Sequence, residues 1–208
     1  MNYNSIEALE IELNTYVFNN ALKNLRNLTV IKCNPNILNL LPLNNYHENN
    51  ITTLIIQNGT KKLEKNMFKF CTNLEFISIP LSVEIIEEDS FSKCSCLRVV
   101  ECDPHFLDYF NNNYITTFII QEGIKTINKR DFLKVKYLQN LIIPKSVNYI
   151  EEGAFYLLKK LIVLKCEEKW NNDKYFPFTY KIEEGTKIID INIFRGWYNL
   201  KSLNILNS

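Results

Sequence analysis

Apolar residues recur along the chain in the order L-x-x-[IL]-x-[ILC], beginning at Ile51, Leu74 and Leu97 and again at Ile115, Leu138 and Leu161. The interval is 23 residues, except for 18 between Leu97 and Ile115. Apolar positions two apart at the end of each copy fit a short strand with one face inward, and the leading residue turns the chain into it. Further copies begin at Ile6, Leu28 and Leu200, with a degraded one near Pro177, so the pattern predicts about ten strands spanning the whole chain.

A longer period contains the shorter one. Residues 51–102 align without a gap on 115–166, with 22 of 52 positions identical, so a 64-residue super-repeat occupies 51–114 and 115–178. Between strands, Ile86 and Phe91 stand eleven and six residues before the leading Leu97. The same offsets give Leu63 and Phe68, Ile127 and Phe132, Ile150 and Phe155, and Ile189 and Phe194. Five rings at one repeat position predict an aromatic ladder beneath the outer surface. One repeat cannot bury its apolar face alone, so neighbours must stack about 4.8 Å apart, and ten of them predict a continuous core about 45 Å long. The turn after the strand carries Ser82–Val83 and Ser146–Val147 in some copies and Gly59, Gly123 and Gly185 in others. A corner that accepts Gly or a small self-bonding Ser implies positive φ at the glycines. No phosphate-cradling glycine motif is present.

The residues IPxSVxxI(E)ExxFxxCxxLxxI of 79–100, repeated without the Cys in 143–164, resemble the BspA-type leucine-rich repeat, a 23-residue variant. The resemblance implies a right-handed α/β solenoid with a parallel concave sheet on one side and short helical or irregular turns on the convex side. It would form a single leucine-rich-repeat domain over 1–208. It also implies a role in protein recognition or adhesion, in a family that includes bacterial surface adhesins and intracellular proteins of anaerobic protists. Two shortened repeats, after Cys102 and after Cys166, depart from the pattern.

Charge narrows the function. With 24 basic and 23 acidic side chains, and no run of lysines or arginines, nothing favours the phosphate backbone of nucleic acid. The opening MNYNSIEALEIELNTYVFNN is acidic where a signal peptide would be basic, and no apolar run approaches a membrane span of roughly 18–20 residues. A cytoplasmic location is expected, with the six cysteines reduced. Sequons at Asn27, Asn50 and Asn58 are no more than an Asn-rich chain produces by chance.

The cluster FSKCSCLRVVEC at 91–102 suggests metal or redox chemistry until the repeat register is applied. Cys33, Cys102 and Cys166 take the last inward position of the second, fifth and eighth strands, about 14 Å between successive members, beyond the roughly 7 Å Cα reach of a disulfide. Cys71 and Cys94 share a core slot that Val135 and Leu158 fill in the duplicate, whereas Cys96 sits where Lys160 does and is the thiol expected to be exposed. One C-x-C with only His47 and His105 gives no zinc constellation. Cys102 and His105 lack a third orienting group for nucleophilic catalysis. The glutamate pairs 87/88, 151/152 and 183/184 read as solvated turn residues rather than an acid–base dyad. No cofactor, metal or catalytic site is expected.

The outward positions of the strands define the candidate site. The central row runs Glu10, Lys32, Ile55, Ser78, Glu101, Ile119, Ile142, Lys165, Lys181 and Asn204, and the flanking row includes Phe76, Val99, Asn140 and Val163. An apolar strip of Ile55, Phe76, Val99, Ile119, Ile142 and Val163, bordered by Glu101 and Lys165, predicts a protein-binding surface. The expected function is a non-enzymatic scaffold that binds a partner protein through its concave face. A BspA-type surface adhesin and a regulatory or adaptor subunit of an enzyme complex are the alternatives. Self-association through uncapped solenoid ends is a further expectation.

Overall fold

The structure is a computed structural model. It describes residues 6–12, 17, 22–41, 48–110, 114–135, 137–151, 154–155, 157–158, 160–161, 163–166, 179–182 and 202–205. The fold is a parallel β-solenoid divided into two compact units, Met1–Cys102 with Tyr109–Asn113, and Asp103–Asp108 with Tyr114–Ser208.

The first unit carries β1 (Ala8–Glu10), β2 (Val30–Cys33), β3 (Thr53–Ile56), β4 (Lys62–Leu63), β5 (Phe76–Ser78), β6 (Ile85–Ile86) and β7 (Val99–Cys102). Strands β1, β2, β3, β5 and β7 pair in parallel in that order, each repeat laying its strand beside the one before. The register follows the repeat frame, with Thr53 opposite Phe76 and Phe76 opposite Val99. Alternation decides which side is buried: Ile31, Leu54, Ile77 and Val100 are completely buried while their outward neighbours, Ser78 excepted, remain partly open.

The second unit carries β8 (Thr117–Ile120), β9 (Thr126–Ile127), β10 (Asn140–Ile143), β11 (Tyr149–Ile150), β12 (Val163–Cys166), β13 (Thr179–Ile182) and β14 (Ser202–Ile205). Strands β8, β10 and β12 form one parallel run, and β13 pairs with β14. All ten predicted strand positions are strands. Gly185, Ile189 and Phe194 lie outside the described residues.

The side away from the main strands is more β than helical. Leu63 and Ile86 sit in the parallel pair β4–β6, and Ile127 and Ile150 in β9–β11, so these inward apolar positions carry a second, two-residue ladder. Helix among the described residues is confined to two 3-10 segments, Pro35–Leu40 and Pro104–Phe110. Both begin with an Asx-Pro step. Asn34 accepts from the Asn36 N–H at 3.1 Å and Asp103 from the His105 N–H at 3.0 Å, while the intervening proline supplies the fixed φ of a first helical residue.

Beneath the first unit's two-residue ladder, Phe68 and Phe91 stack at 4.8 Å with 9° between their planes, and Phe91 stacks on Phe110 at 4.5 Å. Phe132 meets Phe155 at 5.7 Å and, edge-on, Phe118 at 6.0 Å. Four of the five rings that the spacing aligns therefore stack within their own units, where Phe110 and Phe118 join them although the spacing does not supply them; the fifth, Phe194, lies outside the described residues.

Polar links join each repeat to the next. Gly59 has φ 95° and Gly123 φ 106°, outside the comfortable range of residues with a Cβ. Gly59 N donates to Ser82 Oγ at 2.8 Å, and Ser82 in turn donates to the Thr60 carbonyl at 3.0 Å. Gly123 N and Ser146 Oγ repeat the link at 2.8 Å. Positive φ also falls on Asn66 and Asp89, one repeat apart and of the residue types that best tolerate it. Glu87 accepts the Lys65 backbone N–H at 2.8 Å and pairs with Lys62, and Glu151 accepts the Lys129 N–H at 3.0 Å. The Lys62 hydrogen bond, then the Lys65 N–H, holds the Glu87 carboxyl below its usual range; for Glu151 the Lys129 N–H is the main cause. These glutamates are staples between repeats, a role the reading as solvated turn residues missed.

Candidate functional site

The outward rows are positioned by strand pairing alone. In the first unit, the pairs Lys32–Ile55, Ile55–Ser78 and Ser78–Glu101 bring the central row together, and Thr53, Phe76 and Val99 lie beside it. Ile55, Phe76, Val99 and Glu101 are each partly exposed. Ser78 departs from the outward expectation, being only 8% exposed, because its small side chain stands between the larger Ile55 and Glu101. At the start of the row Lys32 reaches Glu10 on the adjacent strand at 2.6 Å, a pair open enough to be screened by salt.

In the second unit, Ile119 is the register partner of Ile142, and Ile142 of Lys165; Thr117, Asn140 and Val163 form the parallel row. Ile119 and Ile142 are partly exposed, so two β-branched apolar side chains adjoin on the open side of the sheet. Asn140 Nδ2 donates to Thr117 Oγ1 at 3.0 Å and uses part of the row's hydrogen-bonding capacity internally. Val163 and Lys165 take their predicted places on the β12 backbone, and their side chains lie outside the described residues.

The rest of the candidate chemistry resolves into structure. Cys33, Cys94 and Cys102 are 0% exposed and Cys71 1%, whereas Cys96 is exposed. Burial pushes the Cys33 thiol up to about 12, with Cys71 adding to the effect, and Cys71 up to about 11 despite the Asn49 amide, which donates to its sulfur at 3.3 Å. Burial likewise pushes Cys94 up. Thiolate is the reactive form. Treating the native protein with iodoacetamide should therefore modify Cys96 alone among Cys33, Cys71, Cys94 and Cys96, the others following only on denaturation; peptide mass spectrometry reads the order.

His105 is exposed and turns Nδ1 to Asp103 at 2.6 Å, an orienting partner that the sequence reading did not supply, while the Cys102 side chain is 0% exposed. Among the described residues no group of three or more His, Cys, Asp or Glu could hold a metal ion, and no helix is long and apolar enough to cross a membrane.

Comparison with known proteins follows the same geometry. The model of the BspA type leucine rich repeat region matches residues 1–106 and 107–208, with six copies. Among solved structures, an internalin from Listeria monocytogenes aligns over 89% of this chain with a TM-score of 0.50 and 17% identity. The chain spans 56% of that structure's length, and the likeness is one of fold. No curated protein matches the sequence.

Proposed function

The chain belongs to the BspA-type leucine-rich-repeat family, and from that membership we propose that it is a non-enzymatic scaffold that binds a partner protein through the outward rows of its parallel sheet. The observation that carries the reading is the register of Ile119 on Ile142, both partly exposed on the open side of β8 and β10. β-Branched residues suit any strand, but two side by side with Lys165 next in the row make an apolar patch with a cationic border. Ile55, Phe76, Val99 and Glu101 supply the first unit's own outward surface, apolar with an acidic border. Val163 and Lys165 complete the proposed set in the second unit.

The test replaces Ile119→Asp together with Ile142→Asp. Buried apolar anchors at interfaces are worth roughly 2 kcal/mol each, so the double variant is expected to lose the proteins that co-purify with the native chain while keeping its circular dichroism spectrum. An unchanged set of partners on a folded variant sinks the proposal.

A further inference from the structure

The turn after β3 differs from its duplicate in one chemically important residue. Both copies bend through a glycine of positive φ, Gly59 and Gly123, and both glycines donate to a serine of the following repeat at 2.8 Å. The residue before the glycine is Asn58 in the first copy and Glu122 in the second. Asn58 is exposed, and its Oδ1 accepts the Gly59 N–H at 3.1 Å, which keeps the side-chain amide beside that nitrogen.

We propose that Asn58 is a site of spontaneous deamidation whose rate is governed by the Ser82 hydroxyl of the next repeat. Once its proton passes to a solvent base, the Gly59 nitrogen attacks Cγ of Asn58. A new N–Cγ bond closes a five-membered succinimide, the Cγ–Nδ2 bond breaks, and Nδ2 leaves as ammonia. Water then opens either carbonyl of the ring, leaving aspartate or isoaspartate at position 58, so one water is consumed for each ammonia released. Glycine offers no Cβ to obstruct the attack. Glu122 has no amide leaving group, so the duplicate turn keeps the same fold without the reaction.

Ser82 acts as the restraint. Its Oγ accepts the Gly59 N–H and holds the proton on the attacking nitrogen, and its own hydrogen is committed to the Thr60 carbonyl at 3.0 Å, which fixes the acceptor in place. The link must open before the ring can close. The product alters the same junction: isoaspartate inserts a backbone carbon beside a glycine held at φ 95°, and either product adds a negative charge just before Lys61, which pairs with Glu84 at 2.6 Å across the two repeats. Chemical ageing would thus loosen one defined joint of the first unit.

The experiment uses the full chain made without glycosylation, because Asn58-Gly59-Thr60 is also a sequon. The folded protein is aged in mildly alkaline buffer, and peptide mass spectrometry with enzymatic isoaspartate labelling follows position 58. The native chain is expected to gain the mass of NH2 exchanged for OH at Asn58 and to acquire isoaspartate. Ser82→Ala should react about fivefold faster, a factor equivalent to about 1 kcal/mol, or one net hydrogen bond. Ser82→Thr, which keeps the acceptor, should restore the slow rate, and Ser146→Ala should leave Asn58 unaffected. The proposal is overturned if Asn58 stays intact in the folded chain while the urea-unfolded chain converts. It is equally overturned if folded Ser82→Ala reacts at the native rate.

Discussion

Phe91→Ala is expected to destabilise the first unit by about 3–5 kcal/mol, the range for truncating a buried aromatic ring. Phe91 is 1% exposed and sits between Phe68 at 4.8 Å and Phe110 at 4.5 Å, so its removal breaks two stacked pairs and opens a cavity in the core. Each aromatic pair contributes about 0.5–1.5 kcal/mol beyond simple burial, and whole domains are stable by only about 5–15 kcal/mol. Urea denaturation followed by circular dichroism measures the change. Phe91→Leu, which keeps most of the apolar volume, should recover much of the loss. A loss below about 1 kcal/mol for the alanine variant would mean that the ladder does not carry the core.

The second large effect is one of sign as well as size. Gly→Ala at an ordinary backbone position stabilises a protein by about 0.4–1 kcal/mol, through the unfolded chain. At Gly59 and Gly123, with φ of 95° and 106°, the added Cβ meets the carbonyl it would normally avoid. Each substitution is therefore expected to cost about 1–2 kcal/mol. It should cost somewhat more where the turn shifts enough to lose the bond to Ser82 or Ser146, seen at 2.8 Å in both copies. A midpoint that falls for both glycines on urea denaturation fits this account; a rise at either would show that its turn can relax to negative φ.

Much of this architecture was legible because the chain states it many times over. A single L-x-x-I-x-I segment is ambiguous, whereas copies at a fixed interval, themselves duplicated at 64 residues, fix both the strands and their register; Thr53 opposite Phe76 and Phe76 opposite Val99 follow directly from the 23-residue step. Legibility ends where the interval breaks. Phe110 lies 19 residues after Phe91 and falls out of frame, yet the 3-10 segment that follows Cys102 brings it onto the same stack. Glu87 and Glu88 look alike in sequence, and only the backbone direction after β6 decides that Glu87 turns back to the Lys65 N–H. The two-residue strands β4, β6, β9 and β11 are too short to show any alternation, although their apolar residues were recognisable as core. For the candidate site, the outward rows were legible, since they depend on alternation alone. Ser78 was misjudged because exposure depends on the size of the neighbours as well as on the direction of the side chain.

The links between repeats share one further property. The staples from Glu87 to Lys65 and from Glu151 to Lys129 span 22 residues, Gly59 to Ser82 and Gly123 to Ser146 span 23, and Asn50 to the Arg26 carbonyl spans 24. Set against a chain of 208 residues, a typical separation of 23 is about 0.1 of the length, a value more usual for helical bundles than for all-β domains, which fold slowly because their strands pair over long distances. Each repeat that docks closes a loop of nearly the same length as the last, at nearly the same entropic cost. Folding within each unit should then proceed by addition of repeats to a first docked pair, at a rate fast for a sheet protein.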